Sequence, residues 1–297
     1  MSDFQRFPGY RDDELSIIRE FHNTDPRPTP GFIIDFLGVR TATDILWQSM
    51  APHDGQVWAQ PIPSDFHAEA VEWIGVLKAV KGAAGKFSVI ELGAGFGTWA
   101  IGSAVAARSR GIDDIRIYMV EGDSRHCASA QHHFRNNGFD PKRHHIINAA
   151  VGPENGVAYW PKEEGEPSTD NWNNRPSVAD EPDYLARSIE QLREIKVVAM
   201  RDLLMNEKRW NLVHLDVQGH EVDIVRSCLS LFTERVEWIV VGTHSRKIDG
   251  DFMQMMYDEK WVCENEKPAG IKYNGHFPTL EGMTVLDGTQ VWRNPRF

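Results

Sequence analysis

Cysteine is scarce in this chain: three in 297 residues, Cys127, Cys228 and Cys263, with no CxxC pair. An odd, scattered set excludes a disulfide framework and a zinc knuckle, and it suits a reducing compartment. Long apolar runs are missing as well. No stretch of about 18 uncharged apolar residues occurs, and the opening "MSDFQRFPGYRDDELSIIRE" has no apolar segment behind a basic start, so neither membrane insertion nor a secretory leader is expected. Basic residues are outnumbered, 32 Lys and Arg against 43 Asp and Glu, for a formal charge of -11. That balance opposes attraction to nucleic acid or to an anionic membrane surface, and favours a small-molecule or neutral glycan partner in a cytoplasmic protein. Internal repeats and low-complexity tracts are also lacking, which sets aside a solenoid.

What remains is a chain that is 41% hydrophobic and long enough for a large core, with alternating strand and helix signals. Ala70, Val71, Ile74, Leu77 and Val80 recur at helical spacing. "FSVIEL" follows as a buried strand, then a helix over about Thr98 to Ser109, the strand "IRIYMVE", a helix over about Ser124 to Asn137, and the strand "HHIINAAV". Further on, "EQLREIKV" and "RDLLMNEK" read as helical, "NLVHLDV" as a strand, "HEVDIVRSCLSLF" as a helix, "EWIVVGTH" as a strand and "GDFMQMMYDEK" as a helix. "WVCENEK" and "TQVWRN" close the pattern without a helix between them, which predicts an antiparallel edge. Repeated strand-helix units with short apolar strands predict an α/β fold with a doubly wound, mostly parallel sheet.

Two stretches break the pattern. Residues 1–66 form an N-terminal extension or lid, with Asp25 to Pro63 rich in Pro and aromatics around the strand-like "GFIIDFLGVRT"; Trp47 and Trp58 are read there as core or as a second wall of a site. Residues 67–297 form the main domain, carrying an insert over about 153–195 that is too long for an ordinary connector. Within the insert, "STDNWNNRPS" sets Asn171, Trp172 and Asn173 together, an aromatic face with amides that suits a sugar as well as it suits an Asn-rich turn.

The strand "FSVIEL" runs into "GAGFGT", where Gly93, Gly95 and Gly97 permit a sharp turn and close backbone approach to a ligand. The spacing is GxGxG, not the GxGxxG of dinucleotide sites, and Glu91 stands inside the end of the strand. A carboxylate there opposes a diphosphate and attracts a ligand bearing sulfonium and ammonium charges, namely S-adenosylmethionine. Glu121, ending the next strand, is placed to accept the hydroxyls of an adenosine ribose, a role that serves NAD equally. P-loop, HExxH and GxSxG patterns are absent.

The blocks "VIELGAGFGTWA", "VEGD", "NAAVG", "VVAMRDLL" and "WNLVHLDVQGHEVDIVRSCLSLF" together resemble the FkbM-type family of class I S-adenosylmethionine-dependent methyltransferases, over about Phe87 to His244. Asp216, Gly219 and Glu221 stand where the family shows Asp, Gly and Glu; His220 replaces the small residue between the last two, and His214 and Leu215 precede Asp216 in place of Lys. The resemblance implies a Rossmann-like sheet of seven strands. It implies that Glu91, Gly93, Ala94, Gly95, Phe96, Gly97, Thr98 and Trp99 hold the methionine part of the donor. Glu121 would take the ribose, Gly122, Asp123, Asn148 and Ala149 would border the adenine, and Asp216 would reach both the donor and the acceptor. The implied activity is O-methylation of a hydroxyl on a sugar, glycolipid or polyketide-type natural product.

Transfer to a hydroxyl calls for a general base or a divalent cation. Asp216, at the end of the fourth strand, leads as base, with a helix cap as its other reading; His244, ending the fifth strand, follows, and His220 is third. Glu221 reads as a first-turn helix acid. An Asp plus a His can also bind a divalent metal, but no strong ligand spacing is present, so metal dependence stays open, as does the oligomeric state. The competing functions are an NAD-dependent oxidoreductase and a noncatalytic cofactor-binding protein.

Overall fold

A computed structural model describes residues 7–162, 176, 191–276 and 279–297. Its centre is a seven-stranded sheet. In chain order the strands are β1 (Lys86–Leu92), β2 (Asp114–Glu121), β3 (His145–Asn148), β4 (Trp210–Leu215), β5 (Val236–Thr243), β6 (Val262–Lys267) and β7 (Gly288–Arg293). Across the sheet they lie in the order β6-β7-β5-β4-β1-β2-β3. β7 is antiparallel to both its neighbours, and the remaining pairs are parallel. This is the doubly wound, mostly parallel seven-stranded α/β sheet the sequence implied, with its antiparallel edge.

Period-two alternation decides what each face buries. Along β1, Phe87 and Val89 join one core with helix α1 (Ala70–Gly82) and helix α2 (Thr98–Ser109), while Ile90 and Leu92 face the opposite core. Helix α3 (Ser124–Asn136) covers the first face beyond α2, through Ala130 and Phe134. Helices α4 (Met200–Leu204), α5 (Glu221–Ser227), α6 (Leu229–Arg235) and α7 (Arg246–Asp258) cover the other face. The single helix read from "HEVDIVRSCLSLF" is thus two, separated at Cys228, whose φ of -135° leaves the helical region.

The N-terminal extension is part of the first core. Ile17, Ile18, Phe36, Leu37 and Val39 pack into the same cluster as Trp73 and Ile74 of α1. Buried Glu14 receives the Lys78 Nζ at 2.6 Å and the Asn265 side-chain amide at 3.1–3.2 Å, joining this segment to α1 and to β6. "GFIIDFLGVRT" forms a small hairpin, Phe32–Ile34 against Arg40–Ala42.

Two readings are corrected. "HHIINAAV" is not one strand: β3 ends at Asn148, and Ala150–Gly152 enters a separate three-stranded sheet. "EQLREIKV" is not helical; Leu192–Ala199 is the middle strand of that sheet, between Ala150–Gly152 and Gly156–Pro161. Ile195 and Val197 alternate with Glu194 and Lys196, and the two β-branched residues pack on Ala158 and Trp160, so the period is two.

Candidate functional site

The strand order reverses between β1 and β4, and a cavity of about 450 Å³ opens at the carboxyl ends of these strands. Of the donor residues expected from sequence, Glu91, Gly93, Ala94, Phe96, Thr98, Trp99, Glu121, Gly122, Asp123, Ala149 and Asp216 line it. Gly95, Gly97 and Asn148 do not. They shape the wall instead: the Gly95 N–H donates to Glu121 Oε2 at 2.7 Å, and the Asn148 amide donates to the carbonyls of Glu121 and Gly122 at 2.9 and 3.0 Å. The reading of Asn171, Trp172 and Asn173 as acceptor contacts falls outside the described residues.

The glycine turn is threaded tightly between strand ends. Gly93 has φ 74°, its N–H donates to the Val120 carbonyl at 3.0 Å, and a Cβ there would stand 1.7 Å from the Asp216 carbonyl oxygen. Only glycine fits such a position. On the β2 side Trp160 lies over Gly122, close enough that a Cβ would come within 2.4 Å of the indole. Sequence reading missed Trp160, because the strand carrying it, Gly156–Pro161, lies inside the irregular insert.

Acidic groups line the donor side. Glu91 is buried and accepts the backbone N–H groups of Trp99 at 3.2 Å and Ala100 at 2.7 Å, so it holds the N-terminus of α2 as well as facing the cavity. Burial pushes its carboxyl up to about 8 against those two bonds, with the charges of Glu121 and Asp216 adding. Asp123 caps α3 through the Arg125 N–H and pairs with the Arg125 guanidinium at 2.6 Å. Burial alone would raise its carboxyl, but Arg125 outweighs it and the net shift is downward. No Lys or Arg among the described residues lines this side; the sole lining Lys, Lys267, is paired with Glu69 across the cavity. Among the described residues His126, held near Glu121 and Asp123, is the basic group on this side, and the excess of acids suits the sulfonium and ammonium groups of S-adenosylmethionine better than a diphosphate.

At the end of β4 three residues form a chain. Glu221 Oε1 accepts the Nδ1–H of His244 at 2.8 Å and the N–H groups of Val217 and Gly219 at 3.2 and 3.1 Å. On the other side of the ring, Nε2 is 3.1 Å from Asp216 Oδ1, an ion-pair distance without the straight line of the Nδ1 bond. Burial disfavours a charged imidazole, yet the two carboxylates hold His244 well above its ordinary value. Burial likewise raises Asp216, but the facing imidazolium leaves it below the usual carboxylate range. Asp216 alone of the three lines the cavity, with a side chain 41% exposed; Glu221 is fully buried.

Ligand-type atoms of these residues gather within 4.8 Å of one another. His244 Nδ1 is already hydrogen-bonded to Glu221, and Nε2 faces Asp216. Sequence reading gave Glu221 its place in the first turn of a helix, where it is, and missed its bond to His244, which depends on β4 and β5 being neighbours. His220 stands just before α5 and is not among the lining residues.

No family model matches the chain. A curated protein of Jannaschia sp. (strain CCS1), named "Putative methyltransferase", is 30% identical over 280 residues, which is 94% of this chain and 98% of that one. Among solved structures, the precorrin-6y C5,15-methyltransferase of Geobacter metallireducens GS-15 superposes with a TM-score of 0.42 at 7% identity, over 77% of this chain and 89% of its own. The methyltransferase FkbM of Methylobacillus flagellatus KT gives 0.39 at 11% identity, over 70% of this chain and 43% of its own. The extent of the match to the Jannaschia protein settles the family: the chain belongs with it among the methyltransferases.

Proposed function

We propose that the protein is an FkbM-type O-methyltransferase of the cytoplasm, moving a methyl group from S-adenosylmethionine to a hydroxyl of a saccharide, glycolipid or related natural product. The observation that carries this reading is the chain Glu221–His244–Asp216, which presents one ionised carboxylate to a cavity whose other side is a glycine turn flanked by acids. When bound, S-adenosylmethionine supplies an electrophilic methyl carbon on a sulfonium. The turn from Glu91 to Trp99 holds the methionine part, Glu121 the ribose, and Gly122, Asp123 and Ala149, beneath Trp160, the adenine. Asp216 orients the acceptor hydroxyl and takes its proton as the new C–O bond forms. His244, protonated and fixed by Glu221, balances the charge of Asp216 throughout. Residues 1–66 serve as a wall of the acceptor side through Trp47, and the insert with Asn171, Trp172 and Asn173 as its cover.

The direct test is transfer of labelled methyl to oxygen in a panel of hydroxylated sugars, alongside calorimetry with S-adenosylhomocysteine and with NAD. Binding of the former and oxygen-linked label are expected. Preference for NAD, or label found only on nitrogen or carbon, would overturn the reading.

Glu91 adds a pH signature. With its carboxyl raised to about 8, it is mostly protonated at pH 7; a ligand ammonium beside it favours the ionised form and expels the proton. Binding of S-adenosylhomocysteine at pH 7 should therefore release a proton, with affinity rising as the pH approaches 8. Calorimetry in buffers of differing ionisation enthalpy reads this directly, and proton uptake on binding would contradict it.

A further inference from the structure

Beyond Asp216 the cavity continues away from the glycine turn, along the sheet order from β4 to β5 and β7, where Gly242, Asp287, Gly288 and Thr289 line it. The start of α1 forms the facing wall with His67, Glu69 and Glu72. The charges in this part of the cavity are one-sided. The Lys267 ammonium is taken by Glu69, and burial pushes the His67 imidazole down to about 3, leaving it neutral. Among the described residues Glu72 has only the ring of His214 near it as a basic group, and Asp287 feels Lys267 and His244, each already held by another carboxylate.

His214 supplies an independent observation. It is 2% exposed, lines the cavity, and is stacked on Trp99 with ring centroids 4.9 Å apart. Among the described residues neither ring nitrogen has a hydrogen-bond partner. The nearest candidate is Glu72 Oε2, 3.8 Å from Nε2, too far for a hydrogen bond. A nitrogen or oxygen of a ligand set about 2.8–3.0 Å from each would bridge that gap and satisfy both. Buried polar atoms left without partners are costly, so a side chain held this way marks a place where a ligand group completes the bonding.

We propose that the acceptor carries a protonated amine, which lodges between Glu72, Asp287 and the open nitrogen of His214 while the neighbouring hydroxyl meets Asp216. An ammonium offers three donors and no acceptor, matching two carboxylates and one unpartnered ring nitrogen. The carboxyls themselves are in the state such a ligand would relieve: burial first, then the charges of Asp216 and Glu69, hold Glu72 above its usual range. Enclosure by protein, with Asp216 and Glu221 adding, does the same for Asp287, although its outer side meets solvent at the mouth. The substrate class is thereby narrowed to amino-bearing polyols, amino sugars being the simplest.

This inference rests on the methyltransferase reading above, and the experiment separates the two. D-glucosamine is titrated against N-acetyl-D-glucosamine and D-glucose by ligand-observed NMR, with S-adenosylhomocysteine present. The amine should bind about tenfold more tightly than either neutral sugar, as one desolvated charge pair provides. In Glu72→Gln/Asp287→Asn that preference should fall to near unity, and Asp287→Asn alone, at an exposed position the fold tolerates, should lose part of it. Equal or weaker binding of the amine, or a preference that survives in both variants, overturns the inference. S-adenosylhomocysteine affinity measured on the same samples reports the donor site separately: its absence in the unsubstituted protein would defeat the methyltransferase reading, not the choice of acceptor.

Discussion

Asp216→Asn should lower kcat for methyl transfer by about 10²- to 10⁴-fold, the range a positioned general base contributes, while donor affinity changes little. The substitution keeps the shape of the side chain and the backbone carbonyl that packs on the glycine turn, and removes only the charge offered to the acceptor. It also takes away one of the two carboxylates that hold His244 protonated. In the unsubstituted enzyme, activity should fall on the acid side only below the usual carboxylate range, because Asp216 stays ionised there, and on the alkaline side only above the ordinary imidazole value. In the variant the alkaline limb should move to lower pH, since an imidazole facing one carboxylate gives up its proton sooner. Steady-state rates across pH with labelled donor measure both effects. An unchanged kcat would remove Asp216 from the chemistry, and an unmoved alkaline limb would remove His244 from its control.

The second large effect is structural. Gly93→Ala places a methyl 1.7 Å from the Asp216 carbonyl oxygen and 2.8 Å from its carbon, in a backbone with φ 74°. The left-handed conformation alone costs about 1–2 kcal/mol, and the clash can be relieved only by parting β1 from the end of β4, where the Asp216 N–H donates to the Leu92 carbonyl at 3.0 Å. A loss of more than about 2 kcal/mol is expected, with donor binding weakened well over tenfold. Thermal unfolding and calorimetry separate the two losses. A variant with full donor affinity would show that this turn does not face the donor.

Both predictions concern a site whose halves were unequally legible in the sequence. The β1 turn announces itself: an apolar run, three glycines and a strand-end Glu are local signals, and Glu91 and Gly93 line the cavity while Gly95 and Gly97 do not. Asp216 and His244 end strands that were equally plain, and their meeting follows from β4 and β5 lying side by side. The end of the cavity proposed for the acceptor was not legible. Glu72 and Asp287 stand more than two hundred positions apart, and what brings them into one cavity is the strand order, which no spacing records. The strand Leu192–Ala199 was lost for a different reason. Its charged residues fit either period over so short a window, and only the packing of Ile195 and Val197 on Trp160 decides between helix and strand.

The N-terminal segment is bonded into the wall of the cavity through its core contacts. Phe36 touches Trp73 edge-on at 5.1 Å, and Trp73 in turn meets Trp99 at 4.7 Å and His67 at 6.3 Å, two residues that line the cavity. Remodelling that wall for a different acceptor therefore disturbs side chains whose far edges are core. A substitution at Trp73 made to reshape the cavity is thus also a substitution in the packing of Phe36, so the wall and the extension answer to the same side chain.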